Sequence, residues 1–307
     1  MKKVPILCIL FYAASLTAGW KWEKVNIEVP FHPSTTAAAY DPVRQKIVIL
    51  NLNDDAQSSD VYDTYLFDGQ SFEKVCTRYP DSVSSCFLYS TSSLFWDTNL
   101  QKLVSCQLCS NPYSSYLNFY LLQEDSYYCW KTFSQGLSYD AGFDPIRKRA
   151  VFFSLNYNEI YEYDGTSIYT FSGFPYTFGD QGYITFDETT QKLIYFGWDT
   201  KPSVILYEWD GINLIAVNPS PPAGYDVSSY SPYSIAYHPA LGGSVSPYGM
   251  KGALLYKNKK WEPLIQGNTP WGNLVIYYPP NGEMYFITYL DGVFVLRRSH
   301  ERPFEKP

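Results

Sequence analysis

Charge is scarce in this chain. Of 307 residues, 17% are charged, against about one quarter in an ordinary globular protein. The 23 Lys and Arg and 30 Asp and Glu leave a net charge of −7. No stripe of basic residues exists to neutralise phosphates, which excludes a nucleic-acid binder. Long apolar runs are missing too: beyond the N-terminus none approaches the roughly 20 residues that a spanning helix needs, so no membrane span is expected. Histidine is limited to His32, His238 and His300. Neither GxSxG nor GxxxxGK[ST] occurs, which removes the signatures of the α/β hydrolases and the P-loop enzymes. N-glycosylation is not expected either, because Asn218 is followed by Pro219 and no other Asn-x-Ser/Thr sequence occurs.

What the chain has instead is rings: 30 Tyr, 19 Phe and 8 Trp, or 19% of all residues. This much aromatic and β-branched surface offsets chain entropy on burial, so a disordered tail protein is excluded. Tyr, Phe, Trp and Val also fit pleated surfaces better than helices, which argues against a mostly helical protein.

The first nineteen residues read as an address. Lys2 and Lys3 precede an apolar core, Val4 to Ala14, and Ser15 to Gly19 ends in small residues, the layout of a secretory signal cleaved after Gly19. The expected organisation is a signal at 1–19, one domain at 20–300 and a tail at 301–307, in a secreted or extracytoplasmic protein (periplasmic if the source is Gram-negative). Five cysteines remain in the mature chain, Cys76, Cys86, Cys106, Cys109 and Cys129. In an oxidising compartment they are disulfide candidates, with one thiol left over. Cys106 and Cys109 have CxxC spacing. That spacing suits a redox pair opening a helix or half of a zinc site, but it lies in strand-like sequence without a second pair, so structural bridging is the reading adopted.

Six segments repeat. They carry the pairs Tyr40-Asp41, Trp96-Asp97, Phe143-Asp144, Phe186-Asp187, Tyr237-His238 and Tyr278-Pro279, spaced 41 to 56 residues apart. Each reads as strand, tight turn, strand. A second element follows in most copies, with Asp68-Gly69, Asp164-Gly165 and Asp210-Gly211 read as Asp-Gly hairpin turns that need a positive φ. Each unit is then four strands, A to D. The last copy lacks D, and Trp22-Glu23-Lys24-Val25 near the N-terminus matches the D sequence Phe72-Glu73-Lys74-Val75. The fold class expected is therefore an all-β, six-bladed β-propeller with four strands per blade, its ring closed by the N-terminal strand completing the last blade, which removes the exposed edge of an open array. A seven-bladed ring and a β-sandwich pair are the alternatives.

The aromatic-Asp-Pro turn before an apolar strand, paired with the aromatic-Asp-Gly turn before the outer strand, resembles the kelch-type repeats of the galactose-oxidase-like β-propeller superfamily. The Gly-Gly that ends strand B in kelch repeats is missing: these strands end in Leu50-Asn51, Ser105-Cys106 and Phe153-Ser154. The resemblance implies copper ligands only where the family's ligand set is present. Tyr237-His238 resembles part of that set, but the second His and the crosslinked Tyr have no counterpart, so neither metal nor cofactor is expected and His238 reads as a turn residue.

In such a fold the A-to-B and C-to-D links are short and lie on one face, while the D-to-A and B-to-C links are long and share the other. Loops over a rigid scaffold are the usual place for function, and aromatic loop residues suit sugar stacking or a protein interface. The expected ligand set is Tyr176, Asp180, Tyr225, Asp226 and Trp271, acting in a binding module for glycan or protein. Asp180 and Asp226 are also the candidate catalytic pair of the competing class, a carbohydrate-active enzyme with two carboxylates across a cleft. A structural envelope or matrix protein is the third class. The acidic group Asp54, Asp55, Asp60 and Asp63 lacks the spacing of a calcium loop and reads as solvated.

Overall fold

The structure, a computed structural model, describes residues 19–32, 36–52, 62–78, 87–88, 93–111, 114–123, 126–133, 139–154, 158–175, 178, 182–198, 204–217, 222, 234–247, 252–266, 272–288 and 291–298. Among these no helix is long and apolar enough to cross a membrane.

Strand β1 (Trp20–Val25) opens the described chain. The first repeat gives β2 (Thr36–Asp41), β3 (Lys46–Leu52), β4 (Tyr62–Phe67) and β5 (Phe72–Arg78). The second gives β6 (Phe87–Leu88), β7 (Ser93–Asp97), β8 (Lys102–Asn111), β9 (Ser114–Gln123) and β10 (Ser126–Phe133). The third gives β11 (Tyr139–Asp144), β12 (Arg149–Ser154), β13 (Glu159–Tyr163) and β14 (Ile168–Phe171), and the fourth β15 (Gly182–Asp187), β16 (Lys192–Trp198), β17 (Val204–Trp209) and β18 (Leu214–Ala216). β19 (Ala236–His238), β20 (Gly243–Pro247), β21 (Gly252–Lys257) and β22 (Lys260–Gln266) form the fifth, and β23 (Gly272–Tyr278), β24 (Glu283–Thr288) and β25 (Gly292–Arg298) the last. β1 pairs antiparallel with β25, Trp20 opposite Arg298 and Val25 opposite Val293.

The all-β propeller is what the repeats predict, with a correction to its regularity: there are five four-stranded blades rather than six. The remaining sheet, in the second repeat, has five strands. Its β8 and β9 run to ten residues each. The first half of β8 pairs with β7, Ser93 opposite Cys106, and its far half takes β6, Phe87 opposite Ser110. A long strand left with an unpaired edge is a template for another strand, and β6 fills it.

The core is divided into slabs between neighbouring sheets. Val151, Phe153 and Ile160 pack on Leu193, Tyr195 and Trp209, and Ile47, Ile49 and Phe67 pack on Ile276, Tyr285 and Val295. Strand alternation supplies both faces of every sheet, which explains why rings are needed throughout: Trp209, Tyr195, Tyr256 and Tyr285 are among the largest fully buried side chains.

The turn Asp of the repeats is buried and works as a cap. One carboxylate oxygen accepts two backbone N–H bonds in each case: from Val43 and Arg44 on Asp41 (2.9 and 3.1 Å), Asn99 and Leu100 on Asp97 (2.7 and 3.1 Å), Ile146 and Arg147 on Asp144 (both 2.9 Å), and Thr189 and Thr190 on Asp187 (2.8 and 3.1 Å). The residue that closes the turn is left-handed, with φ between 53° and 56° at Gln45, Gln101, Lys148 and Gln191. In the fifth and sixth copies no Asp is available, and the left-handed position is instead glycine, Gly242 (φ 61°) and Gly282 (φ 70°). There the backbone bonds itself, Gly242 N–H to the His238 carbonyl at 3.0 Å and Gly282 N–H to that of Tyr278 at 3.1 Å. Pairing of Tyr278 with Glu283 matches that of Asp41 with Lys46, so the sixth pair is Tyr277-Tyr278, one residue earlier than the sequence alignment places it.

The Asp-Gly elements differ from the expected two-residue hairpin turns. Phe67 pairs with Phe72, Tyr163 with Ile168 and Trp209 with Leu214, which leaves four-residue loops. Only the glycine is left-handed, while the Asp carboxylate accepts the N–H groups two and three residues on, as Asp210 does from Ile212 and Asn213 at 2.9 and 2.7 Å. In the fifth copy Asn258 and Lys259 both have positive φ, and the turn there is the two-residue type.

Sheets are clasped to one another through buried carboxylates of their third strands. Glu162 on β13 accepts a bond from Arg149 Nη1 (2.7 Å), one from Arg147 Nη1, and one from Trp209 Nε1 of the next sheet (2.7 Å). Glu208 on β17 accepts Lys192 Nζ (2.8 Å) and the Tyr256 hydroxyl of the next sheet (2.7 Å). Tyr278 and Tyr285 bond the carbonyls of Gln45 and Gly69 in the first sheet, at 2.8 and 3.3 Å.

Two substitutions test these roles by urea unfolding. Tyr256→Phe, which removes a donor to a buried carboxylate, is expected to cost ~2 kcal/mol. Gly242→Ala is expected to cost ~1 kcal/mol, the price of a left-handed β-carbon. An unchanged midpoint in either variant would remove that role.

Candidate functional site

Tyr176, Asp180, Tyr225, Asp226 and Trp271, the expected ligand set, all lie outside the described residues, as do residues 53–60 of the acidic loop. Toward that end Phe178 lies 5.3 to 5.6 Å from Phe153, Tyr195 and Tyr207. Phe31, 4.8 Å from Tyr65 and 5.3 Å from Phe72, and Phe174, edge-on to Trp209, pack toward the turn ends of β4 and β17 instead. Asp63, the last member of the acidic group, is buried on β4 with Lys74 Nζ at 2.8 Å.

The cysteine expectation is corrected at Cys106, which is a free, buried thiol. It packs with Phe95, Val104, Leu121 and Ala141, and burial pushes its pKa well up. Cys106 and Cys109 are three positions apart on the single strand β8, and not at the opening of a helix as a redox CxxC pair would be. The side chains of Cys76, Cys109 and Cys129, and all of Cys86, lie outside the described residues. His238 is a buried turn residue whose pKa burial lowers. It packs 5.2 Å from the Tyr277 ring and 6.1 Å from Trp20, and among the described residues no group of three potential ligands could hold a metal.

One concavity lined by described residues is at the other end of the axis. Strands β2, β7, β11 and β15 lean on one another in sequence, and where they run into their turns they line an open cavity of about 380 Å³. Its wall carries Tyr40, Trp96, Phe143 and Phe186, the repeated aromatics themselves, with Pro42, Thr98, Pro145 and Glu188 from the turns. Each ring stands one residue before a buried capping Asp, so alternation turns it away from the side its carboxylate takes. Gly142 lets β11 and β15 approach: a β-carbon there would stand 2.5 Å from Ile184 Cγ2. Glu188 is exposed, has no ion-pair or hydrogen-bond partner among the described residues, and is close enough to the sixth sheet that its charge, after burial, helps raise the pKa of Tyr277. Its turn is fixed by the Asp187 cap and by the Thr189 Oγ1 to Tyr237 hydroxyl bond of 2.8 Å. Sequence reasoning passed over Glu188. The signal was present: the residue after the turn pair is Pro or Thr in the neighbouring lining copies and acidic only here.

Asp140, at the loop end of β11, is the other group that repetition does not explain. It is fully buried, and desolvation raises its pKa to about 8 against the lesser pull of the Tyr195 hydroxyl, 3.3 Å away, and the Gly182 N–H. No second carboxylate shares the site among the described residues.

The sequence matches no protein-family model and no curated protein. Among solved structures the chain is similar to a glucose dehydrogenase-like oxidoreductase of Thermus thermophilus, with 12% identity over 91% of this chain and 100% of that one and a TM-score of 0.55. It is also similar to the uncomplexed acylaminoacyl peptidase of Pyrococcus horikoshii, with 10% identity, a TM-score of 0.50, and 86% of this chain covering 45% of the peptidase. At these identities the likeness shows the propeller fold and nothing of the chemistry.

Asp140 gives a signed pH prediction. Its proton is held more tightly folded (pKa about 8) than unfolded (3.8), so its contribution is intact below the lower value and lost as pH rises through the window between them, by up to ~1.4 kcal/mol per unit. Urea midpoints of the wild type, compared with Asp140→Asn from pH 5 to 8, should diverge in favour of the variant. A wild type that gains relative to the variant as pH rises contradicts the assignment.

Proposed function

We propose that this chain is an extracytoplasmic β-propeller that works as a binding module for a glycan or a protein, through the face bearing the long D-to-A and B-to-C loops. Six sheets form its closed ring, with β1 as the outer strand of the last. The pairing of β1 with β25 and the packing of β23 on β2 support that closure.

One observation carries the choice of binder over enzyme. Apart from Asp140, the buried carboxylates of the described residues are committed to structure: Asp41, Asp97, Asp144 and Asp187 to turn caps, Asp63 to Lys74, Glu162 and Glu208 to clasps between sheets. The set proposed for recognition on the loop face is Tyr176, Asp180, Tyr225, Asp226 and Trp271, which lie outside the described residues. Tyr and Trp in such a position supply contact area at low entropic cost. Asp140 favours the competing reading, a carbohydrate-active enzyme using Asp180 and Asp226, because a carboxyl with a raised pKa is what a general acid needs.

Glycan-array and pull-down binding of residues 20–307 discriminates these readings. Tyr176→Ala and Trp271→Ala are expected to weaken ligand capture at least tenfold, with Val43→Ser and Ile146→Ser, on the turn face, without effect. Loss confined to the turn-face pair contradicts the loop-face assignment, and turnover of a captured glycan that is abolished by Asp180→Asn establishes the enzyme.

A further inference from the structure

The cavity at the turn end of the axis combines three properties that fold maintenance does not require together. Its wall presents four rings, Tyr40, Trp96, Phe143 and Phe186, around about 380 Å³, within the range of small-molecule sites, about 300–1,000 Å³. Tyr40, Trp96 and Phe186 remain half-exposed, although rings of the same repeats elsewhere are fully buried. The carboxylate of Glu188 stands at its rim with no cation paired to it among the described residues. Of the arginines in these turns, Arg44 pairs with Asp41, and Arg147 with Asp144 and Glu162.

Ring faces carry negative quadrupole density, and a cation seated over them is held electrostatically, most strongly where water is excluded. Several rings with one carboxylate suit a diffuse, weakly hydrated cation. The wall's polar side chains are Thr98, Thr185, Tyr40, Trp96 and Glu188, and Thr185 Oγ1 already accepts the Tyr237 N–H, so the charge of Glu188 is what favours a cation over a neutral sugar. An anion would be repelled by Glu188. The turn is pre-organised for this use, because the Asp187 cap and the Thr189 to Tyr237 bond fix the backbone on either side of Glu188, so little order is lost on binding.

We propose that this cavity binds a small organic cation bearing a methylated ammonium head, with Trp96, Tyr40, Phe143 and Phe186 as the cage and Glu188 as the counter-charge. The site lies at the opposite end of the axis from the loop face, and it stands or falls separately from the ligand proposed there.

The test is isothermal titration of residues 20–307 with choline, and with 3,3-dimethylbutan-1-ol as its uncharged isostere. Choline is expected to bind with a millimolar or tighter Kd and the isostere at least tenfold more weakly. Glu188→Gln, at an exposed position outside the core, should weaken choline about fivefold with an unchanged melting temperature. Trp96→Ala should weaken it more than tenfold, and Trp96→Phe should restore part of the loss. Raising salt should weaken binding to the wild type and not to Glu188→Gln. Absence of choline binding at 10 mM, equal binding of the isostere, or an unaffected Glu188→Gln would each overturn the proposal.

Discussion

The structure depends on how the innermost strands meet around an axis. They converge too closely to be ordinary neighbours in a sheet, yet their backbone groups are buried, and an unpaired buried N–H costs as much as a lost hydrogen bond. Side-chain hydroxyls solve this from one sheet to the next. The Ser93 hydroxyl accepts the Ala141 N–H at 2.9 Å, Thr185 that of Tyr237 at 3.1 Å, and Ser234 that of Val275 at 3.0 Å. Small residues recur in these strands, such as Ala37, Ala38 and Ala39 in β2 and Ala141-Gly142 in β11. The rest of the architecture is hung from this centre: turns at the foot of the innermost strands, four capped by Asp and two closed by glycine, carboxylate clasps further out, and aromatic slabs between.

How much of this was legible in sequence can be judged residue by residue. Tyr40-Asp41 and its equivalents announced the strand-turn-strand unit, because an Asp followed by a helical-type turn is a local signal. The same logic failed at Tyr278-Pro279, where the cap is absent and glycine takes over the turn one residue out of step. The second repeat was misjudged because β8 is longer than its counterparts, and length in a strand without a closing turn signal is set by its partners. Glu162 and Glu208 were invisible as clasps, since their partners Trp209 and Tyr256 lie 47 and 48 residues away and nothing local marks the pair. Cys106 and Cys109 were grouped by spacing alone, although both lie on the single strand β8.

The site shows the same division. Repetition explained the aromatic pairs as architecture, and that explanation was sufficient for their burial but not for the cavity they line together. Glu188 became visible once its position in the turn could be compared across sheets. The repeat departs from its own rule at Glu188, where a turn position turns acidic, and at Asp140, where a carboxyl is buried and its pKa raised.

The central claim is that the sheets form one closed ring with the N-terminal strand as its final member. Native-state hydrogen exchange tests it directly. The account predicts that amides of Trp20–Val25 exchange together with those of Gly292–Arg298, their ladder partners, and with the same sensitivity to low denaturant. Exchange of Trp20–Val25 at the rate of unstructured chain, while Gly292–Arg298 stays protected, would contradict it.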